Sequence, residues 1–586
     1  MDGSPHMSAF LDVEASLTGR RWVGPGTEVS RAADMLVQRA DVAPPVAQIL
    51  ARRGVAPEDV PGFLAPALRD LLPDPRTLKD MEVAAQRLVR AVQARERIAI
   101  FADYDVDGGA SAALLVWWLR YFGKDATLYV PDRIDEGYGP NPEAIGALAA
   151  DHDLIICVDC GTLSHDALAA GAAADIVVLD HHLGAETLPP ALAVVNPNRQ
   201  DEDGALGHLC AAAVVFLCLV EAGRHVRAAG EAGPDLMGML DLVALATVAD
   251  VAPLIGVNRA FVRQGLRIMA ERARPGLAAL ADAARLDTAP AAYHLGYVLG
   301  PRINAGGRIG EADLGARLLS TANPHEAAAL AERLEALNAE RREVEAQVRA
   351  AALSQAEARG LDAPLAWAAG PGWHPGVVGI VAARLKEAAH RPAIVIGVEN
   401  GIGKGSGRSV TGIDLGAPIQ RLAAEGLLIK GGGHKMAAGL TVAEDKIEAA
   451  MARLSELLAR QGAGAGGPAA LRVDGVMMPG AATPDMIEAL EAAGPFGAAA
   501  PGPRFVFADM RIWHARIVGE AHLKLTFGDT DGPRLDAIAF SAMEGAMGTA
   551  LLDHAGARFH LAGRVELNIW QGRARAQLRL EDAAYA

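Results

Sequence analysis

Three aspartates alternate in the segment FADYDVDGG, Phe101–Gly109, directly after a short apolar run. On an extended loop this spacing turns the carboxylates of Asp103, Asp105 and Asp107 toward one side, where they repel strongly unless a cation sits among them. The same D-x-D-x-D-G pattern opens a calcium-binding EF-hand loop. Here, however, the twelfth position is Leu114 rather than a glutamate, and a strand rather than a helix precedes the loop. A second acidic position, Asp159, ends the apolar run Leu154–Val158 within CVDCGT. Its flanking cysteines form a C-x-x-C, yet no second pair follows and the surroundings are not thioredoxin-like. Cys157 belongs to the buried run, which leaves Asp159 as the working residue. The third motif, VVLDHHLG, places Asp180, His181 and His182 just past another apolar run. Two histidines preceded by a carboxylate suit a metal site in which one imidazole binds the ion and a carboxylate orients the ring. In the fourth, ATVADVAPL, Asp250 closes a long apolar stretch and on its own reads equally as a helix-terminal turn residue.

Oxygen-rich ligands with one or two imidazoles suit Mn²⁺ or Mg²⁺ better than zinc. Five or six of them are too many for one ion with an open position. Two ions about 3.5–4 Å apart, bridged by a carboxylate, would activate a water for in-line attack on phosphorus. The glycine-rich stretch Gly397–Gly405 is not a nucleotide-binding P-loop, because Lys404 is followed by Gly405 rather than Ser or Thr.

The elements that must position these residues follow from periodicity. Strands are expected at Ile98–Phe101, Thr127–Val130, Leu154–Val158 and Ile176–Leu179, with helices at Ala110–Tyr121 and Glu143–Ala150 between them. Such alternation predicts an α/β fold with a parallel sheet, and the acidic motifs fall at the carboxyl ends of its strands, where ligands gather. Pro324–Arg359, proline-free inside and rich in Ala, Glu, Leu and Arg, predicts one long helix. A smaller α/β unit follows from Pro364 to about Arg460, and Gly462–Pro468 marks a linker. In the tail, Phe559, Leu561, Val565, Leu567 and Ile569 share one face of a period-two strand. Beyond a turn at Gln571 and Gly572, Arg573, Arg575, Gln577 and Arg579 point to one side of a second strand. His522, Lys524 and Thr526 alternate with Leu523, Leu525 and Phe527, completing a small antiparallel β domain. Its basic stripe reads either as a nucleic-acid groove or as a solvated face.

At 586 residues the chain requires several cores. Hydrophobic residues make up 51% and charged residues 22%, which describes a globular protein rather than a disordered one. The net charge of −16 is the wrong sign for nonspecific coating of nucleic acid, but suits an enzyme whose carboxylates collect cations. The longest apolar run, Leu209–Val220, is too short to span a bilayer, and no basic n-region precedes an apolar stretch at the start. Four cysteines fit a reducing cytoplasm, and no membrane association is expected.

The four motifs, in this order and spacing, resemble the DHH/DHHA1 phosphoesterase superfamily. Further segments resemble its bacterial single-strand-specific exonucleases: LLPDPRTLKDM (Leu71–Met81), PDRIDEGYG (Pro131–Gly139), LGPRINAGGRIG (Leu299–Gly310), GSGRS (Gly405–Ser409) and GGGHKMAAG (Gly431–Gly439). The resemblance implies an N-terminal region (1–75), a parallel-sheet DHH catalytic domain (76–322) and a connecting helix (323–360). A smaller DHHA1 domain (361–465) and an OB-like nucleic-acid-binding domain (466–586) would follow. It further implies that Asp103, Asp105, Asp107, Asp159, His181 and Asp250 ligate two Mn²⁺ or Mg²⁺ ions, with Asp159 as the bridge. His182 would contact the scissile phosphate or support the site, and Asp180 would orient a histidine. Gly432, Gly433 and His434 would face the substrate phosphate. Arg133, Ser406 and Arg408 would hold a 5′-terminal phosphate, and Arg308 would contact the strand near it, roles suited to a forked guanidinium. The implied activity is 5′→3′ hydrolysis of single-stranded DNA to 5′-mononucleotides in repair and recombination, with a helicase and a single-strand-binding protein as candidate partners. Two alternatives stand beside it: a phosphodiesterase for short oligonucleotides or cyclic dinucleotides, and a catalytically silent scaffold. Within the resembling segments, Gly306 stands where alanine is common, and in a further one, GPFGAAAPGPRF (Gly494–Phe505), GAAAP (Gly497–Pro501) replaces a Gly-Asn-Pro pattern.

Overall fold

The computed structural model describes residues 8–132, 136–137, 139–464, 469–570 and 573–586, which divide into two compact units. One unit comprises residues 71–465 and 497–499. Its first sheet holds five parallel strands in the order Thr127–Tyr129, Ile98–Ala102, Leu154–Val158, Asp175–Leu179, Ala193–Val195. Ile98–Ala102 and Leu154–Val158 are buried along their whole length, as continuous apolar strands covered by helices on both faces must be. The edge strand Ala193–Val195 is only three residues long and carries no periodicity to announce it.

The helix after the first central strand runs Val106–Tyr121, one turn longer than its apolar pattern suggests. Asp105 caps it, its side chain accepting the amides of Asp107 and Gly108, so the acidic loop itself becomes the first turn. Gly108 is required there, because a Cβ would lie 2.4 Å from the carbonyl oxygen of Asp103. The helix Pro142–Asp151 is opened in the same way by Asn141, whose side chain accepts the amide of Ala144.

Asn323 caps the 36-residue helix Pro324–Arg359. Its buried stripe (Leu330, Leu334 and Leu337 early, Val348, Ala352 and Ala356 late) serves two different cores. The early part packs on the helices Pro275–Ala283 and Gly300–Ile309, and the late part on the helix Pro375–Ala389 and the strand Ala366–Pro371. The second core is built on a five-stranded mixed sheet in the order Lys430–Gly433, Ala437–Ala443, Ile402–Arg408, Ala393–Glu399, Ala366–Pro371. Among the described residues no helix is long and apolar enough to cross a membrane.

The other unit comprises the described residues of 1–70, 466–496 and 500–586. Five strands of its six-stranded sheet close into a barrel, because Phe505–Val518 pairs both with His522–Gly528 and with Arg558–Trp570, while the short Gly475–Val476 is added alongside Phe505 and Val506. Phe505, Phe507, Phe527 and Phe559 fill the interior and share one core with Leu36 and Leu50 of the N-terminal helices Thr27–Ala40 and Pro44–Arg52. The alternation expected over Phe559–Ile569 breaks at a bulge between Ala562 and Gly563. There the outer face is covered too: Ala562, Val506 and Ala584 pack against the fully buried Trp22, whose Nε1–H donates to Asp582 Oδ2 at 2.9 Å. Of the basic stripe, Arg575 and Arg579 are exposed, but Gln577 is buried, paired in register with Asp536. The turn Gln571–Gly572 lies outside the described residues.

Candidate metal centre

Seven side chains from four loops meet at the carboxyl rim of the parallel sheet. His181 Nε2 lies 3.2 Å from Asp159 Oδ1, 3.7 Å from Asp107 Oδ2 and 3.8 Å from Asp250 Oδ2. Asp107, His181 and Asp250 can present ligand atoms within 4.8 Å of one another, and so can Asp103, Asp105 and Asp159. Asp159 and His181 adjoin, so the two triads are contiguous, which is the arrangement two neighbouring ions need. His182 joins Asp159 and His181 in a third such grouping.

Each candidate ligand is aimed by the backbone around it. Asp159 takes a left-handed conformation, φ 60°, just after its strand. Asp107 accepts the amides of Ala211 (2.7 Å) and Ala212 (2.8 Å), the first residues of the helix Ala211–Ala228. Its oxygens therefore face the cluster with their remaining lone pairs. Asp250 caps the helix Leu240–Ala249, which ends in a Schellman turn: Ala252 N–H donates to the Thr247 carbonyl at 3.1 Å. Asp180 is buried behind the histidines, accepting the amides of Thr162, His181 and His182 and, at 2.8 Å, His182 Nδ1. Three residues that sequence reasoning missed complete this support. Fully buried Asn196 donates to Thr162 Oγ1 and the His182 carbonyl, and Asn198 donates to the His181 carbonyl. Asn304 Oδ1 accepts the Val106 amide inside the acidic loop. Asn196 and Asn198 follow the unnoticed fifth strand, so their place at the rim was the signal available.

The electrostatics match a cation site. Burial, then the charges of Asp107, Asp105 and Asp103, push the Asp159 carboxyl well above its ordinary range. Burial and Asp105 raise Asp107 as well, against the opposing effect of His181. Asp250 is pushed up to about 8 by burial and by Asp107 and Asp105. Asp180 behaves oppositely: burial works to raise it, but the hydrogen bonds and charge of His182 hold it far below the usual range. Burial disfavours the His182 cation, yet the bond to Asp180 outweighs it and carries that imidazole to about 9. Carboxylates that resist ionisation together are stabilised by a divalent ion placed among them, and an oxygen-rich set with one imidazole fits Mn²⁺ or Mg²⁺. Cys157 and Cys160 are buried, and burial first of all pushes both thiols up, so neither is a ready metal ligand.

The remaining sequence candidates lie around the second sheet. Arg408 Nη1 donates to Ser406 Oγ at 3.1 Å and to the Gly407 carbonyl. A Cβ at Gly379 would lie 3.1 Å from Ser406 Oγ and 3.3 Å from Arg408 Nη2, so both side chains reach the first turns of the helix Pro375–Ala389. Arg308 Nη1 donates to the Gly376 carbonyl of the same turn. Two guanidinium groups and a hydroxyl thus gather at the start of one helix, a chemistry suited to an anion. His434 is exposed in the turn after Lys430–Gly433, its amide bonded to the Ala437 carbonyl. Gly433, with φ 145°, admits no side chain, because a Cβ would fall 2.5 Å from the Ala437 oxygen; a Cβ at Gly432 would meet open space. Arg133 lies outside the described residues.

Comparison with known proteins adds independent findings. Residues 97–247 match the model of the DHH family, N-terminal domain, residues 362–460 the DHHA1 domain, and residues 473–582 the RecJ OB domain. The chain is 40% identical over 538 residues to the single-stranded-DNA-specific exonuclease RecJ of Dickeya dadantii, covering 88% of this chain and 92% of that one. It is 37% identical over 580 residues to the Escherichia coli protein of the same name, covering 95% and 98%. The crystal structure of Thermus thermophilus RecJ in complex with Mn²⁺ superposes with a TM-score of 0.79 at 30% identity, over 96% of this chain and 79% of that one.

Proposed function

The chain belongs to the RecJ family of DHH single-stranded-DNA-specific exonucleases, and from that premise we propose that it degrades single strands from the 5′ end at the centre formed by Asp103, Asp105, Asp107, Asp159, His181 and Asp250. It is a metal-dependent hydrolase of ester bonds acting on single-stranded DNA, with Mn²⁺ or Mg²⁺ as cofactor. The observation that carries the assignment of residues is the convergence of three carboxylates on His181 Nε2 within 3.8 Å.

When bound, a pair of such ions supplies a hydroxide nucleophile and neutralises charge developing on phosphorus. The chain's own residues do the rest. Asp159 adjoins both triads and would help to hold both ions. Asp180 holds His182 by Nδ1, which leaves Nε2 to face the scissile phosphate with a proton to donate. Ser406 and Arg408, at the helix that begins with Pro375, bind the 5′-terminal phosphate, Arg308 contacts the strand near it, and the Gly432–His434 turn meets the strand backbone. Anchoring the terminal phosphate at a fixed site positions the next ester for attack, which makes the product a 5′-mononucleotide. The β barrel, matched by the RecJ OB domain, extends the contact with the strand. Work on single strands in repair and recombination calls for a helicase and a single-strand-binding protein as partners. Four free, buried cysteines support a cytoplasmic setting.

Long single strands labelled at either end test the reading, with Mn²⁺ and with Asp159→Ala as control. Loss of nucleotides from the 5′ end by the wild type alone is expected. Turnover confined to very short oligomers would favour the oligonucleotide phosphodiesterase, and none by either protein the scaffold.

A further inference from the structure

Two tyrosines near the metal centre contribute little to any core. Tyr293 and Tyr297 sit where the helical turn Ala292–His294 passes through a π-helical turn, Leu295–Leu299, into the helix Gly300–Ile309. Their rings stack, with centroids 5.1 Å apart and planes 24° from parallel. Yet the residues are 56% and 72% exposed. Exposed large rings lose the benefit of burial, and π-helical turns concentrate at functional sites.

Their location supplies the second observation. Gly296, between them in sequence, packs on the end of the helix Leu240–Ala249. A Cβ there would lie 3.4 Å from Val248 Cγ1 and 3.9 Å from the Val248 oxygen, and one at Gly300 would lie 3.3 Å from Ala249 Cβ. The next residue is Asp250. Val251 then donates its amide to the same Val248 carbonyl at 3.2 Å, is 69% exposed and has φ 59°, a conformation that β-branched residues rarely adopt. The segment that carries both rings thus packs on the helix end that presents Asp250 to the cluster and leads into the strained, exposed Val251.

We propose that Tyr297, backed by Tyr293, is a stacking platform for a nucleobase of the strand engaged at the metal centre. This rests on the exonuclease reading and adds the base as a recognised part of the substrate. Every base has a π face, so a ring accepts any sequence, as an enzyme that advances along a strand requires. A base held in a duplex must first give up its pairing and stacking to reach such a ring, so the platform also favours unpaired DNA.

Single strands with one abasic position, moved stepwise inward from the 5′ end, test the platform against wild type, Tyr297→Ala and Tyr297→Phe. Tyr297→Ala should lower kcat/KM on intact strands about tenfold, while Tyr297→Phe stays within about twofold of wild type. One abasic position should cost the wild type about tenfold and cost Tyr297→Ala nothing more. Unchanged kcat/KM in Tyr297→Ala, or ring and base losses that multiply, would overturn the proposal. Thermal melting is expected to match wild type, since Tyr297 is exposed. Binding of a 2-aminopurine oligonucleotide to the chelated protein is a second readout that needs no hydrolysis. Weaker binding by Tyr297→Ala supports the platform; equal binding with an altered oligomeric state makes the rings a protein-docking surface and overturns it. If the wild type leaves single strands intact with Mn²⁺, the exonuclease reading fails separately, and the binding measurement still judges the platform.

Discussion

The carboxylate of Asp107 sits on the first two amides of the helix Ala211–Ala228, while Asp159, across His181 from it, is pressed by like charges. The two residues belong to one centre but relate oppositely to the fold. One satisfies buried donors; the other concentrates repulsion.

Their variants should therefore part company in stability. Asp107→Ala strands two buried N–H groups, each worth about 1–3 kcal/mol, and relief of buried charge offsets only part of this. A net loss of about 2 kcal/mol is expected. Asp159→Asn removes a charge disfavoured by burial and by the neighbouring carboxylates, and should leave the chelated protein as stable as wild type or more so. Both should lose nuclease activity. Thermal unfolding in chelator, with activity in Mn²⁺ measured alongside, checks the contrast; equal destabilisation by the two would contradict it.

The metal-free centre should also make stability depend on pH. Asp250 titrates at about 8 in the folded protein and near 3.9 in an unfolded chain. A carboxyl raised by folding favours the unfolded state once that state ionises, so chelated protein should lose stability as pH climbs from about 4 to about 8. Cation binding needs the ionised carboxylates, so affinity should rise through the same window and binding should release protons. Calorimetry of Mn²⁺ binding in buffers of different ionisation enthalpy measures that release.

Val251 occupies the left-handed position of a helix C-terminal turn that glycine usually fills. Val251→Gly should stabilise the chelated protein by roughly 1 kcal/mol, because the exposed side chain forfeits little burial. A lower melting temperature would show that the valine is held by packing instead.

Recognition of the 5′ end should reside in Arg408 and Ser406. Arg408→Ala is expected to lower kcat/KM about 10–100-fold on 5′-phosphorylated strands and far less on 5′-hydroxyl strands. A uniform loss on both would place the guanidinium elsewhere on the strand.

The acidic cluster was legible in sequence because metal chemistry demands particular residue types at strand ends, and DYDVD, Asp159 and the DHH triplet all fall after apolar runs. Asp250 was not legible by its own pattern, since a helix-terminal aspartate is ordinary; only the family resemblance singled it out. Asn196, Asn198 and Asn304 went unseen for a different reason. They act through hydrogen bonds between their side-chain amides and the backbone of other loops, and their partners lie 14, 17 and 198 residues away in sequence. The helix Val106–Tyr121 was read short because its buried first turn carries the polar residues that hold the centre. In the barrel, period two failed at Ala562 because Trp22, from the far end of the chain, covers what alternation alone assigns to solvent.

The helix Pro324–Arg359 spans about 54 Å at 1.5 Å per residue, and one unbroken rod is seated in both cores. Its length and phase act as a gauge between the acidic rim and the sheet that carries Ser406. Adding a single residue at its middle would turn one end by about 100° against the other, so the two surfaces could no longer address the same strand. The separation of the acidic rim from Ser406 is thus written in a segment that supplies none of the candidate site residues.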